Sequence, residues 1–300
     1  MDWAILSLFS SITLSIIIIL DKRLISVKID RIEAYYAWLA LSMLFISGFV
    51  YLIWGFGGNL NFTKLLTAYG GGLFWGAGLV LFFLGVKKEE ASRAAAIFQT
   101  FPLFVFLFAV TFLGENILLI QMIAIVSIVV GAAMISLGKV SLKGIFKPSK
   151  ALPLLVFASF FVGVGFFVNK LALDMLPVAT VYIFRAIGMA TTLLVFFRPS
   201  LLFEMFKNMK DTETRNLLIL NPFILAPLAV AFMMNATSRG PVSLVSVIIA
   251  TSPMFVFLFT VGLSKTKLWR IGEPLVKDVL LVKGVSVGMI VGGIIILQIT

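Results

Sequence analysis

The chain has 300 residues, 61% of them hydrophobic and 12% charged, with a mean hydropathy of +1.14 and a formal net charge of +11. This composition excludes a soluble globular domain and makes lipid the solvent for most of the chain. Without Cys or His there is no thiolate or imidazole for a metal site, a disulfide or a nucleophile, so no cofactor, metal or catalytic set is expected.

Ten apolar runs near the ~20 residues needed to cross a bilayer follow in order. They cover about 3–20, 34–54, 65–86, 92–113, 116–138, 151–169, 178–197, 217–236, 242–263 and 279–299. The first has no basic residue before it and no small-residue cleavage pattern after it, so it is expected to remain as a span. Asp21-Lys22-Arg23 closes the first run, the Gly-rich stretch from Gly55 to Asn59 the second, and Lys87-Lys88-Glu89-Glu90 the third. Gly114-Glu115-Asn116 makes a tight turn between the fourth and fifth. A basic linker over 139–150 separates two halves, 1–138 and 151–300. Backbone groups cannot go unpaired in lipid, and uninterrupted runs of this length are helical. The expected fold class is therefore an all-α integral membrane protein with ten transmembrane helices.

The halves repeat. Pro102-Leu103-Phe104-Val105-Phe106-Leu107-Phe108 recurs as Pro253-Met254-Phe255-Val256-Phe257-Leu258-Phe259, and Thr100 and Ser92 precede the first copy as Thr251 and Ser243 precede the second. Asp21-Lys22 corresponds to Asn169-Lys170, Tyr36 and Met43 to Tyr182 and Met189, and Gly131 to Gly292. Five helices per repeat is an odd number, so the second repeat is expected to be inverted in the membrane. The charges agree. Of the 24 Lys and Arg, only Lys64, Lys170 and Arg239 fall in loops on one side and only Arg185 lies well inside a span, away from its ends. The rest occupy loops on the other side, which places the chain as a multi-pass protein of the cell membrane with both termini outside. Basic residues distributed in this way orient helices and give no reason to expect nucleic acid.

Proline inside a lipid-embedded helix frees the carbonyl four residues earlier, here Phe98 or Ile249. One such proline reads as a structural kink. A pair at equivalent positions of an inverted repeat points to a transporter's central site, with Pro102 and Pro253 as helix breaks or hinges. Arg185 is a cation within a span. It is expected to face a cavity, where it would favour a carboxylate or phosphate, and snorkelling to the interface is the alternative. Gln99, Tyr182, Asn235 and Trp75 are candidate substrate contacts, with Asn169, Tyr36 and Trp38 as further polar or stacking surfaces. Each alone is more often a helix-contact hydrogen bond or an interfacial anchor. Lys22 and Lys170 are candidate gate residues at matching helix ends. Gly70, Gly71, Gly72, Gly76 and Gly78 give the third span a small-residue face, read as close packing. No Asp or Glu lies mid-span, since Asp21, Glu115 and Asp174 sit near helix ends, and this leaves proton coupling open.

The pattern resembles the drug/metabolite transporter superfamily, specifically proteins with two EamA-type domains. The resemblance rests on the two five-helix repeats, Lys22 and Lys170 after the first helix of each, and Ala91-Ser92 through Pro102-Leu103-Phe104. It also rests on the Gly114-Glu115 turn followed by Gln121 and a Gly-bearing fifth helix. It implies alternating access around a central cavity and movement of amino acids, metabolites or related small solutes, by a monomer or homodimer among membrane lipids. A lipid flippase, with Arg185 on a lipid phosphate, is the alternative. The second half departs from the pattern, because a basic segment over 264–277 with Glu273 displaced replaces the Gly-Glu turn. Orientation departs too, since family members are usually drawn with both termini in the cytoplasm.

Overall fold

A computed structural model describes residues 2–29, 31–86, 88, 91–137, 151–195, 197–263 and 277–299. No strand occurs among them. The first half holds α1 (Asp2–Arg23), which ends in a π turn (Leu24–Lys28), then α2 (Ile32–Trp54), α3 (Phe62–Val86), α4 (Ala91–Phe98), α5 (Phe101–Phe112) and α6 (Leu119–Leu137). The second holds α7 (Leu152–Met175), α8 (Val178–Leu194), α9 (Pro199–Asn208) and α10 (Thr212–Leu220). A π segment (Asn221–Leu225) leads from α10 into α11 (Ala226–Arg239), followed by α12 (Val242–Ile249), α13 (Ser252–Leu263) and α14 (Lys277–Ile299). The expected basic linker and most of the basic segment before α14 lie outside the described residues.

Among the described residues six segments are long and apolar enough to cross a membrane: α1, α2, α3, α7, the run Thr212–Arg239, and Val242–Thr260. The expected fourth span is two helices, α4 and α5, and the fifth and tenth carry shorter apolar stretches, Leu119–Met134 and Gly284–Leu297. The expected seventh span, 178–197, is a helix only to Leu194. There the chain turns by 101° into α9, because Pro199 cannot continue a helical ladder and its predecessor Arg198 is extended. Leu201 and Met205 of α9 are buried while Phe203 and Phe206 are exposed, so α9 is a short amphipathic helix at the bundle's end.

Packing repeats with the halves exchanged. α3 lies against α7 as α11 lies against α1, α2 against α8, α6 against α14, and α5 against α12. Close approach is set by glycines. A Cβ on Gly131 would meet Ile290 and one on Gly293 would meet Ile128, while Gly292 has nothing near it. The partner of Gly131 in the repeat is therefore Gly293, a correction of one residue to the sequence register.

Both proline breaks are built alike. In the first, the Thr100 N–H and hydroxyl both donate to the Ile97 carbonyl, at 3.1 and 2.6 Å, and the Leu103 N–H donates to Thr100. In the second, the Thr251 N–H and hydroxyl donate to Ile248, at 3.1 and 2.6 Å, and Met254 to Thr251. The freed carbonyls find donors on neighbouring helices. The Ser159 hydroxyl reaches Phe98 O at 3.1 Å and Ile97 O at 3.0 Å, and the Ser11 hydroxyl reaches Ile249 O at 3.3 Å. Each serine also pairs with the threonine of its break, Thr100 at 3.4 Å and Thr251 at 3.0 Å. Buried carbonyls in an apolar medium need such partners.

Candidate functional site

One departure from the two-fold pattern opens a cleft. On α3, a Cβ at Gly72 would strike the Arg185 carbonyl and Met189 N of α8, and one at Gly76 would strike Thr192. Gly188 of α8 meets the Tyr69 carbonyl in the same way, so α3 and α8 touch backbone to backbone. Asn169 lies against Gly71 as Asp21 lies against Asn221, which aligns Gly71, Gly72 and Gly76 with Asn221, Pro222 and Ala226. Larger side chains and a π segment at the latter positions hold that helix away from α2. The space left is a cavity of about 40 Å³, open at its mouth.

Leu39, Ser42, Met43 and Ile46 of α2, Tyr182, Arg185 and Ala186 of α8, and Pro222, Ala226, Pro227 and Val230 line the cleft. Arg185 is its only charged lining residue. Its side chain is 4% exposed, its Nε has no hydrogen-bond partner, and among the described residues it makes no ion pair. The guanidinium carbon sits 5.1 Å from the centroid of the Trp75 ring. An indole face offsets part of the cost of burying a cation without neutralising it, so the site retains an unmet demand for an anion.

Of the expected site residues, the structure brings Arg185, Tyr182 and Trp75 together. Tyr182 is nearly one turn from Arg185 on α8, and Trp75 packs on Phe166 of α7. Gln99 is buried in the α4–α5 break with its carbonyl oxygen unpartnered, away from the cleft lining. Asn235 is not in the lining either, and its amide donates to the Ala231 carbonyl of its own helix at 2.9 Å. Pro102 is buried and Pro253 partly buried at the two breaks. Lys170 pairs with Asp174 one turn away at 2.8 Å, and Lys22 is exposed. Asn169, 3% exposed, leaves both amide atoms unpartnered beside Gly71.

The two ends of the bundle are closed by equivalent loop pairs with different chemistry. At the end where α1 meets α10, Arg23 pairs with Glu213, and Lys28 bonds Asp211 at 2.8 Å and Glu213 at 3.1 Å. Hydrogen bonds from Lys28 and from the Thr214 hydroxyl and N–H hold the Asp211 carboxyl well below the usual range, and the two carboxylates raise the Lys28 ammonium. At the other end the equivalent loop contact is neutral. The Gly57 N–H donates to Thr180 at 3.0 Å, and Gly58, at φ +86°, lies under Pro177 where a Cβ would not fit. There, too, Glu115 caps α12, accepting from the N–H groups of Val242 and Ser243 and from the Ser243 hydroxyl.

The profile of the EamA-like transporter family matches residues 1–137 and again 149–271. The chain belongs to this family. It is accordingly a multi-pass membrane transporter with two EamA repeats, the second match ending before α14. A solved crystal structure 15% identical to this EamA-like chain superposes with a TM-score of 0.69, covering 99% of this chain and 94% of its own, which shows a shared fold. Among curated proteins none matches.

Sequence reasoning missed Ser11 and Ser159, although their spacing equals that of Asp21 and Asn169 and so carried a signal. It also missed Asn221 and Tyr35, whose partner Asp21 becomes apparent only in three dimensions.

Proposed function

We propose that this EamA-like protein is a secondary transporter for a small organic solute bearing a carboxylate or phosphate, anionic or zwitterionic, that moves by alternating access. The observation that carries the reading is Arg185: a buried, unpaired cation lining a cleft between α2, α8 and the π segment, backed by an aromatic face. An ion in this setting is costly unless an anion visits it. Apolar lining residues bury the solute's body, while Tyr182 offers a hydroxyl to orient it.

The exchanged packing of the halves supports two inverted five-helix repeats, and the loop contacts support ten spans. Each end contact joins loops that an even number of intervening spans brings to one side. The basic loops then face the cytoplasm and both termini lie outside. In this account the cleft is exposed in turn to either side as the ionic and neutral closures open alternately, with the Thr–Pro breaks before Pro102 and Pro253 serving as hinges. Lys22 and Lys170 remain candidate gate residues.

Purified protein in proteoliposomes, tested for counterflow with a panel of monocarboxylates, phosphate monoesters, amino acids and organic cations, tests the reading. Anionic or zwitterionic solutes are expected to exchange faster than in protein-free vesicles. The proposal fails if no solute does, or if only cations do.

A further inference from the structure

The cleft leaves one polar cluster unused. Asp21, in the last turn of α1, accepts hydrogen bonds at one carboxylate oxygen from the Tyr35 hydroxyl of α2 and the Asn221 amide of the π segment. The amide also lies 3.3 Å from the Tyr35 hydroxyl. Tyr35 is fully buried, Asn221 is 1% exposed, and the Asn221 carbonyl oxygen has no partner. Three elements thus converge on one carboxylate, and two of them, α2 and the π segment, form walls of the cleft.

The surrounding charges are otherwise engaged. On α1 itself Lys22 is exposed and Arg23 pairs with Glu213; on the π turn Lys28 pairs with Asp211 and Glu213. α2 brings Arg31, Glu33, Tyr35 and Tyr36, α10 brings Asp211, Glu213 and an exposed Arg215, and α11 carries Arg239 only at its far end. Among the described residues no Lys or Arg forms an ion pair with Asp21. A partly buried carboxylate with no cation paired to it is a group whose charge a single proton can remove, at the expense of the two hydrogen bonds that favour its charged form.

We propose that Asp21 is the proton-binding site of the transporter, and that its charge holds α2 and the π segment together at the end where the ionic closure lies. The idea rests on the transporter reading for its function but not for its test. As a carboxylate, Asp21 accepts from Tyr35 and Asn221 together. On protonation one proton adds to a carboxylate oxygen and the negative charge disappears. With the proton on the other oxygen, the two hydrogen bonds at Oδ1 lose their charge assistance and weaken, so the α2–Asn221 junction loosens. The partner position in the second repeat is Asn169, which cannot titrate, and the loop contact equivalent to the ionic closure is neutral there. Protonation of this site therefore acts on one end only, which is what coupling a proton to one direction of movement requires.

Because the chain has no Cys, spin labels can be placed without removing any. Labels at Arg31→Cys on the N-cap of α2 and Asn216→Cys, exposed on α10, report the α2–α10 separation in liposomes by pulsed electron resonance. In the otherwise unaltered protein the distance distribution is expected to shift to longer values as pH falls from 9 to 5. Asp21→Asn is expected to hold the long distance at every pH, with Glu204→Gln, whose partner Arg31 the label already replaces, keeping the pH response. Tyr35→Phe, which keeps the acid but removes a donor to its charged form, is expected to move the transition to higher pH. A distance that ignores pH overturns the proposal, as does a pH response that survives Asp21→Asn or vanishes in Glu204→Gln. None of these outcomes needs a transported solute, so they are separable from a failed transport panel.

Discussion

Ser159 is where the energetics of the broken helices can be measured. Its hydroxyl is shared between Ile97 O and Phe98 O, at 3.0 and 3.1 Å. Ile97 O keeps the Thr100 N–H and hydroxyl when the serine is lost, but Phe98 O sits four residues before Pro102 and no N–H replaces the missing donor. Ser159→Ala therefore strands one buried carbonyl. Burial without a partner costs about 1–3 kcal/mol, whereas interhelical hydrogen bonds in membranes average ~0.6 and reach ~1.7 kcal/mol. A loss of about 1–1.5 kcal/mol lies where these ranges meet, read by reversible unfolding in mixed micelles. The decisive arm is the double-mutant cycle with Pro102→Ala, which returns an N–H to Phe98 O. In that background the cost of Ser159→Ala should fall below about 0.5 kcal/mol. Equal costs in both backgrounds would refute the idea that the serine compensates for the proline.

The mirror substitution Ser11→Ala is expected to cost less, since its hydroxyl lies 3.3 Å from Ile249 O, and to add to Ser159→Ala in the double variant within about 0.5 kcal/mol. Gly72→Ala should lose about 2–3 kcal/mol, because the new methyl meets the backbone of α8, whereas Gly70→Ala, with nothing within 4 Å, should be neutral or slightly stabilising in the same unfolding assay. Glu115→Ala removes the cap of α12 and is expected to cost about 1–2 kcal/mol, with Glu115→Gln recovering part of it. The Lys28–Asp211 contact is expected to weaken at both pH extremes. The lowered Asp211 carboxyl contributes above its ordinary value of 3.8 and loses that contribution as pH falls through its folded value. The raised Lys28 ammonium contributes below 10.5 and loses it as pH rises past its folded value. Crosslinking yield between cysteines at Lys28 and Asp211 gives no such profile, so the salt and pH sensitivity of α1–α10 protection should be followed by hydrogen exchange. Protection that does not fall below about pH 3 or above about pH 11 would contradict it.

The helices and their repeat were legible because lipid removes alternatives: an apolar run of that length must be a helix, and duplicated Thr–Pro breaks survive in composition. Arg185 was legible for a related reason, being the one cation deep inside an expected span rather than at its end. The span boundaries were less so. The seventh ends early because Arg198-Pro199 turns the chain aside, and α9 is too short and amphipathic to register as a hydropathy run. The cluster around Asp21 was illegible because its donors, Tyr35 and Asn221, come from opposite halves of the chain and carry no motif. The prolines were expected to free the carbonyls of Phe98 and Ile249 near a central site. Ser11 and Ser159 take up the carbonyls of Ile249 and Phe98 instead, leaving Gln99 as the unpartnered group there.

The central claim is that Arg185 receives the anionic group of the solute, and counterflow in proteoliposomes tests it most directly. For whichever anionic solute exchanges with the unaltered protein, Arg185→Ala is expected to abolish exchange while the variant still elutes as a folded, monodisperse protein, and Arg185→Lys is expected to retain part of it. Undiminished exchange by folded Arg185→Ala would contradict the account.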